Sequence, residues 1–453
     1  DFSGLTVSRG VFAPTIEFHD GLFHVINTCV DCGGNFIVTA TDPAGPWSDP
    51  VWLPHVGGID PSLFFDEDGK AYILNNDAPE GEPLYQGHRA VWIREVDPES
   101  FAQVSEPVVA VNGGVDLSKK PVWIEGPHLY KVDGKYLLSA AEGGTGPQHS
   151  QVILTAESPL GPFTPHPDNP VLTQRDLPED RPEPITSVGH ADFTQDGDGN
   201  WWAVFLGTRP YQGNEYNTGR ETFLMPVTWE NGIPRITAPG DVIPHVIDRP
   251  ALPAQPDAPL PLTGNFTYTD AFDEEALPLH WLTVRIPSED GYRLETGDLV
   301  LEKRAQGVGD PGHPSFLGRR QQHTNAEAYT EVMFVPGDSD DEAGLAAFQN
   351  DAANYTLGLS LNEEGTSVVR LRRRASENAD PDGEIVTEVP ALAAPGEPLK
   401  LKIAAQGPEI DFYQASPEGE WQPVALGEDG TILSTEKAGG FVGTLLGVYA
   451  QSE

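Results

Sequence analysis

The stretch PHLYKVDGKYLL, residues 127–138, decides the fold of the first half of the chain. Apolar and polar residues alternate on both sides of its Asp133-Gly134 pair. A two-residue Asp-Gly loop between alternating stretches is typical of a β-hairpin, because both central residues of a type I′ turn have positive φ. Residues 127–138 are therefore predicted to form two antiparallel strands joined by a tight turn.

The same pattern recurs along the chain. Similar segments begin at Pro14, Pro61 and His190, each with an Asp-Gly pair between apolar stretches. Their turn glycines, together with Gly134, are spaced 48, 65 and 65 residues apart. This spacing leaves room for about four short strands per unit, which is close to the period of propeller blades. Since helical periodicity is absent, the first half is predicted to be a β-propeller with about four blades.

A proline-rich stretch separates this region from the rest of the 453 residues. Prolines cannot donate to a sheet, so we predict a linker over 251–264, after a propeller over 1–250. Beyond it, alternation at period two over 328–334 and 399–403 predicts a β-sandwich over 265–453. The chain is thus expected to be all-β.

Acidic residues dominate the charge. The 69 Asp and Glu residues outnumber the 27 Lys and Arg residues and give a net charge of −42. A basic face for nucleic acid or an anionic membrane is therefore excluded. The acidic side chains of a folded chain with this charge repel one another, and this repulsion is best tolerated near molar salt, where the screening length falls to about 3 Å. The charge therefore favours a halophilic source over an ordinary acidic enzyme.

Neither targeting nor metal chemistry is evident from the remaining composition. The chain has no run of 18 apolar residues and no basic-then-apolar leader, which leaves the location open and slightly favours the cytoplasm. The two cysteines, Cys29 and Cys32, are too few for a four-thiolate zinc site, and we interpret them as structural or incidental thiols.

The candidate site residues come just before the inner strands of the repeats. These positions hold Phe12-Ala13, Asp60, Glu125 and His190. Equivalent positions of successive blades face one axial funnel, so these side chains are predicted to meet at its mouth.

Glu125 has the sequence surroundings of a general acid. It lies in the segment WIEGP, residues 123–127, which offers few polar partners. Burial there should raise the pKa of Glu125, and the charge of Asp60 should act in the same direction. Two carboxyl groups around a sugar-sized pocket match the needs of glycosidic bond cleavage.

Five motifs make the chain resemble glycoside hydrolase family 43, in its β-xylosidase and α-L-arabinofuranosidase branch with a C-terminal sandwich. The motifs are GVFAPTIEFHDG (10–21), GIDPSLFFDEDGKAYIL (58–74), IEGPHLYKVDGKYLL (124–138), GHADF (189–193) and YNTGRETFLMPVTWENG (216–232). The resemblance implies a five-bladed propeller followed by a concanavalin-like sandwich. It also implies hydrolysis, with inversion, of terminal β-xylosyl or α-L-arabinofuranosyl residues from short xylan-derived oligosaccharides.

The family pattern assigns roles to particular residues. Glu125 in IEGPH matches the general acid, and Asp60 in GIDPS matches the aspartate that tunes and orients it. Arg220 in GRETF matches the substrate-binding arginine, and Phe441 in AGGFVG resembles the residue by which the sandwich closes the pocket. No cofactor is required, although in some relatives the residue matching His190 takes part in binding calcium through water.

Purely structural roles stay open for several of these positions. Phe12 and Ala13 stand where the family has an apolar wall for the sugar. Arg220 could instead pair with its neighbour Glu221, His190 could be a buried structural imidazole, and Phe441 could be an ordinary core residue.

One family element has no counterpart in the sequence. The general base belongs to a D-P-S motif upstream of the segment containing Phe12, and only eleven residues precede Phe12 here. We therefore expect a fragment truncated at both ends, without its first blade and its base. Two functions stay open at this stage: a glycosidase, or a non-catalytic carbohydrate-binding protein or inactive fragment using the same funnel. The sequence does not choose between xylose and arabinose, or between a monomer and a homo-oligomer.

Overall fold

The computed structural model describes residues 4–248, 250, 252–253, 264–285, 291–295 and 297–452. Its regular structure is almost entirely β-strand, which confirms the all-β prediction. In the described ranges, α-helix occurs at Thr435–Ala438, and 3₁₀ turns occur at Leu117–Lys119 and Gly430–Leu433. None of the helices in these ranges has the length and apolar character needed to span a bilayer.

The chain divides into two compact units. The first, here called the meander unit, comprises Ser8–Thr208 and Glu221–Leu252. The second, the sandwich unit, comprises Asp1–Val7, Arg209–Arg220 and Pro253–Glu453. The segment Arg209–Arg220, which lies between two neighbouring strands of the meander unit, thus belongs to the sandwich unit. The predicted linker over 251–264 lies almost wholly outside the described residues.

Four antiparallel sheets follow one another along the meander unit. The first consists of β1 (Thr15–His19), β2 (Leu22–Cys29), β3 (Gly34–Ala40) and β4 (Val51–Trp52). The second consists of β5 (Ile59–Phe65), β6 (Ala71–Asp77), β7 (Ala90–Val96) and β8 (Val108–Asn112). The third consists of β9 (Glu125–Val132), β10 (Lys135–Glu142), β11 (Ser150–Ala156), β12 (Thr164–Pro165) and β13 (Leu172–Thr173). The fourth consists of β14 (Thr186–Gln195), β15 (Trp201–Thr208) and β16 (Glu221–Pro226), and is followed by a hairpin of β17 (Thr228–Glu230) and β18 (Ile233–Arg235).

The strands of each sheet pair in chain order, apart from β13, which returns to pair with β11. All four repeats form the predicted hairpins. Asp133-Gly134 has positive φ at both residues, as a type I′ turn requires. At Asp68-Gly69 and Asp198-Gly199 only the glycine has positive φ, so the predicted turn type is wrong there. These two loops are longer, and each closes through a hydrogen bond from the glycine N–H to a carbonyl three residues back.

Successive sheets of the meander unit pack through buried apolar clusters. Ile26 and Leu63 belong to the cluster between the first and second sheets, and Leu74 and Leu129 to the one between the second and third. A third cluster joins the third and fourth sheets. Burying each such side chain stabilises the fold by roughly 1.5–3 kcal/mol. The inner strands β1, β5, β9 and β14 are therefore brought side by side.

The first and last sheets each leave one apolar face open. On the first sheet, Ile16 and Phe18 are 49% and 60% exposed. On the fourth, Val204 and Leu224 face each other across β15 and β16 and are 39% and 37% exposed. The counterparts of Ile16 in the second and third sheets, Leu63 and Leu129, are only 2% and 5% exposed, so the first sheet differs from the middle sheets at this position.

The sandwich unit contains two packed sheets and a separate two-stranded sheet of β19 and β20. Its strands are β19 (Tyr292–Glu295), β20 (Asp298–Leu301), β21 (Ser315–Arg320), β22 (Asn325–Val332), β23 (Glu342–Asn350), β24 (Ala353–Leu361), β25 (Ser367–Arg374), β26 (Glu384–Pro390), β27 (Leu399–Gln406), β28 (Glu409–Ala415), β29 (Gln422–Asp429) and β30 (Leu445–Gln451). One sheet has the order β21-β30-β23-β24-β25-β26 and the other the order β22-β27-β28-β29. Tyr355 and Leu357 of the first sheet pack against Ile403 and Phe412 of the second.

The cysteines lie at the end of the first hairpin of the meander unit. Cys29 ends β2 and Cys32 lies in the following turn, and the two are joined as a disulfide. The sequence analysis interprets them as structural or incidental thiols, and the structure joins them to each other.

Candidate active site

Asp60 and Glu125 lie at the same edge of the meander unit. Asp60 is the second residue of β5, and Glu125 is the first residue of β9. Each is 8% exposed. The backbone N–H of Gly126 donates a hydrogen bond to Asp60 Oδ2 at 3.3 Å. Gly126, the residue that follows Glu125, is thus hydrogen-bonded to the Asp60 carboxylate.

Irregular backbone geometry sets the directions of the Asp60 and Glu125 side chains. Asp60 has a φ of 52°, and the pairing of β5 with β6 shifts between Ile59 and Ser62. Glu125 pairs with Ala141 after a similar shift in β10. Bulges and left-handed residues redirect side chains out of the regular strand alternation, and they concentrate at functional sites.

His190 joins the same group through Gly126. A Cβ added to Gly126 would lie 2.4 Å from the His190 ring, so only glycine lets the imidazole pack on this stretch of backbone. His190 itself has a φ of 56° and lies within the register shift of β14 between Gly189 and Asp192. The structure therefore brings Asp60, Glu125-Gly126 and His190 together from three neighbouring sheets.

A buried asparagine holds the chain just before Glu125. Asn76 is fully buried, and its side-chain N–H donates to the carbonyl of Ile124 at 2.5 Å. Its Oδ1 accepts a hydrogen bond from Arg89 Nε at 3.0 Å. The sequence analysis missed both residues, since neither belongs to a repeat position.

Phe12 and Ala13 precede β1. The Phe12 N–H donates to the carbonyl of Thr28 at 2.9 Å, and the preceding Val11 forms a bridge with Cys29. Phe12 is half-buried and Ala13 is exposed. Both are placed in the meander unit, at the beginning of its first inner strand.

A second pair of carboxyl groups, Glu17 of β1 and Asp192 of β14, lies on the inner strands. The sequence analysis missed both residues. Tyr130 donates a hydrogen bond to Asp192 Oδ1 at 2.5 Å, and His128 Nδ1 lies 3.5 Å from the same oxygen. Burial, with Asp192 as a further cause, raises the pKa of Glu17 to about 8. No repeat position marks either carboxyl group, because Glu17 lies inside β1 and Asp192 inside β14.

Glu142 is a further buried carboxyl group at the end of β10. It directly follows Ala141, the pairing partner of Glu125. Its Oε2 accepts a hydrogen bond from the Val115 N–H at 3.0 Å, and burial raises the pKa of its carboxyl group. The sequence analysis missed it because no repeat position marks it.

Arg220 and Phe441 are brought together in the sandwich unit. The Arg220 guanidinium carbon lies 4.8 Å from the centroid of the Phe441 ring, a cation–π geometry. Phe441 is 42% exposed, which is inconsistent with an ordinary core position. The segments that carry Arg220 and Phe441 approach each other closely at Gly219 and Gly443. A Cβ on either glycine would lie within 2.5 Å of the backbone of the other segment.

Hydrogen bonds fix the rest of the segment that carries Arg220. The Thr444 N–H donates to the carbonyl of Asn217 at 2.8 Å, and the Tyr216 N–H donates to Ser434 Oγ at 3.0 Å. The position of Arg220 is therefore set by the sandwich unit. In the part of the chain that the structure describes, no three His, Cys, Asp or Glu side chains are grouped so as to hold a metal ion.

Two family models match the chain. Residues 2–234 match glycosyl hydrolases family 43. Residues 269–453 match the beta xylosidase C-terminal concanavalin A-like domain. The second half therefore has the concanavalin-like fold that the resemblance implies.

Named proteins resemble nearly the whole chain. A xylosidase/arabinosidase of Butyrivibrio fibrisolvens is 36% identical over 98% of this chain and 83% of its own length. A non-reducing end alpha-L-arabinofuranosidase of Bacteroides ovatus is 37% identical over 97% of this chain and 78% of its own length. The crystal structure of a GH43_12 protein from a capybara gut metagenome superposes with a TM-score of 0.86 at 36% identity, covering 99% of this chain and 84% of that one.

These findings define the class of protein: it is a glycoside hydrolase with a C-terminal concanavalin-like domain. The chain belongs to glycosyl hydrolase family 43.

Proposed function

We propose that the protein hydrolyses terminal β-xylosyl or α-L-arabinofuranosyl residues of short xylan-derived oligosaccharides by an inverting mechanism. The observation that carries this proposal is the hydrogen bond from Gly126 to Asp60, which sets two buried carboxyl groups at one edge of the meander unit. The names of the two relatives above, one a xylosidase/arabinosidase and one an arabinofuranosidase, support both pentoses as substrates.

In this mechanism Glu125 is the general acid. It gives its proton to the glycosidic oxygen as the bond to the leaving sugar breaks. Asp60 accepts the Gly126 N–H beside Glu125, and a carboxylate at that place favours the protonated form of a neighbouring acid. An inverting enzyme needs a base carboxylate roughly 6.5–9.5 Å from the acid, with water between them. We assign that base to none of the described residues.

The sugar-binding residues follow the family pattern. In the meander unit, Phe12 and Ala13 match the family's apolar wall for the sugar. Within the sandwich unit, Arg220 packs on Phe441, and its guanidinium is proposed to donate hydrogen bonds to sugar hydroxyls. His190 supplies an imidazole beside Gly126. A calcium ion held through water near His190 stays a prediction, and we expect no cofactor to be required.

We further propose that the four sheets of the meander unit are consecutive blades of a five-bladed-type propeller. The side-by-side packing of successive sheets supports this arrangement. The open apolar faces at Ile16 and Phe18 and at Val204 and Leu224 support one more sheet between the first and the last. Covering exposed apolar surface stabilises a protein by about 25 cal/mol per Å².

Product stereochemistry tests the proposed function. The full-length protein should release the α-anomer first from nitrophenyl β-xyloside, as measured by proton NMR before mutarotation equilibrates the two anomers. Initial release of the β-anomer would contradict inversion. Binding of xylobiose in calorimetry without any turnover would favour the alternative, a carbohydrate-binding protein that uses the same residues.

A further inference from the structure

Trp123 has an unusual conformation two residues before Glu125. Its φ is 51°, and its side chain is 37% exposed. A bulky residue in the left-handed region costs on the order of 1–3 kcal/mol and persists only where its surroundings impose it. Here the Trp123 N–H donates to the carbonyl of Gly87 at 2.9 Å, and the preceding carbonyl of Val122 accepts from Gly143 at 2.9 Å. Two loops thus hold the strained backbone at Trp123 through hydrogen bonds.

Arg89 packs on this indole. Its guanidinium carbon lies 5.1 Å from the Trp123 ring centroid, within cation–π range. The buried Asn76 orients Arg89 through its Oδ1 and holds the carbonyl of Ile124 through its amide N–H. One asparagine therefore fixes both Arg89 and the backbone next to Glu125.

The sheet topology places these residues at the edge where Asp60 and Glu125 lie. In an antiparallel sheet the beginning of one strand lies beside the end of the next. Asp60 is near the beginning of β5, and Asn76 is near the end of β6. Arg89 directly precedes β7, and Trp123 comes two residues before β9. All of them therefore lie at one end of the second and third sheets.

A small residue completes the arrangement. A Cβ added to Gly87 would lie 3.0 Å from Val122 Cγ1 and 3.3 Å from Trp123 Cδ1, and Gly87 has a φ of +84°. The loop before β7 can approach Trp123 this closely only because residue 87 is glycine. Neither Trp123 nor Arg89 has a part in the chemistry proposed above.

We propose that Trp123 and Arg89 form the binding surface for the sugar on the leaving-group side of the scissile bond. This inference rests on the proposed role of Glu125 as general acid. The acid protonates the oxygen that joins the two sugars, so the leaving sugar lies next to the acid and its neighbours in the chain. The ligand is a neutral pyranose of a xylan-derived chain: its C–H face packs on the indole, and its hydroxyls accept hydrogen bonds from the guanidinium.

Calorimetry with xylose and xylobiose tests this surface. All proteins carry Glu125→Gln, so that xylobiose is not hydrolysed during the titration. The parent should bind xylobiose more tightly than xylose, because the second sugar uses Trp123. Adding Trp123→Ala should weaken xylobiose binding about tenfold and change xylose binding less than twofold, while Trp123→Phe should retain an intermediate affinity.

Two further variants separate recognition from folding. Trp52→Ala removes an indole of similar exposure, 45%, from β4 and should leave both affinities unchanged. Arg89→Ala leaves the indole in place and should weaken only xylobiose binding, which keeps the test decisive if Trp123→Ala unfolds.

Each remaining outcome counts against a stated claim. Equal weakening of both ligands, or no weakening of either, in Trp123→Ala and Arg89→Ala would overturn the proposed surface and leave the proposed function standing. A parent that binds xylobiose no better than xylose would do the same. A parent that binds neither sugar would overturn the proposed function, and this inference with it.

Discussion

Two pairs of carboxyl groups lie on the inner strands of the meander unit, and their surroundings differ. Asp60 and Glu125 are at the beginnings of strands, where bulges and a left-handed residue break the regular pairing. Glu17 lies within the unbroken pairing of β1 with β2, and Asp192 accepts hydrogen from Tyr130. The irregular backbone turns Asp60 and Glu125 toward one edge, where each is only 8% exposed. Glu17 is half-buried and the Asp192 side chain is 37% exposed, so the two pairs differ in burial as well as in backbone geometry.

Gly126→Ala should break the first pair most severely. The new Cβ would lie 2.4 Å from the His190 ring, in a residue whose φ is +53°. The left-handed conformation alone costs about 1–2 kcal/mol, and the overlap adds roughly 1–3 kcal/mol. We expect a large loss of stability in urea unfolding together with loss of activity.

Gly199→Ala is the matched control for this substitution. Gly199 also has positive φ, at +82°, but a Cβ there would meet nothing within 4 Å. It should show only the conformational cost and keep full activity. Equal destabilisation of both variants would mean that the contact of His190 with Gly126 does not constrain the site.

Asp60→Asn sharpens the comparison by removing a charge while retaining an oxygen for the Gly126 N–H. Without the neighbouring negative charge, Glu125 should lose its proton at lower pH. The alkaline limb of the kcat/KM profile should therefore move to lower pH, and the maximal rate should fall about tenfold or more. Asp68→Asn, in the exposed turn after β5, should change neither. An unmoved alkaline limb in Asp60→Asn would show that Asp60 does not act on the acid.

Glu17→Gln tests the second pair through stability. The pKa of Glu17 is raised from its ordinary value of 4.5 to about 8 by burial and by Asp192, so the folded state binds a proton that the unfolded state has lost. The contribution of Glu17 to stability is therefore fully present below about pH 4.5 and is lost as pH rises to about 8. The thermal midpoint of the native protein should fall over this interval, and Glu17→Gln should flatten that fall. Glu67→Gln, whose side chain is 86% exposed, should keep the native slope, and an equal slope in both variants would contradict the assignment.

Local patterns in the sequence were sufficient for the hairpins and for the place of Asp60 and Glu125. An Asp-Gly pair between alternating stretches forms its turn from neighbouring residues, so it can be recognised without knowledge of the fold. The turn type failed at Asp68-Gly69, because the length of the loop there depends on the pairing of the flanking strands.

Contacts between distant segments could not be predicted from the sequence. The pairing of Arg89 with Trp123 depends on a loop that packs next to another sheet, and Glu17 acquires its environment from β14. The membership of Arg209–Arg220 in the sandwich unit depends on contacts more than 200 residues away, such as the one between Tyr216 and Ser434. The halophilic source that a net charge of −42 favours stays a prediction.

The role of Glu125 is tested most directly by the response of Glu125→Gln to the leaving group. A glutamine cannot donate the proton, so kcat/KM on xylobiose should fall by roughly 10² to 10⁴. Dinitrophenyl xyloside releases an acidic phenol that needs little protonation, so its kcat/KM should fall less than about tenfold. Both the variant and its reference are full-length protein, and the reference is measured on both substrates. Equal losses on the two substrates would contradict the assignment of Glu125 as the general acid.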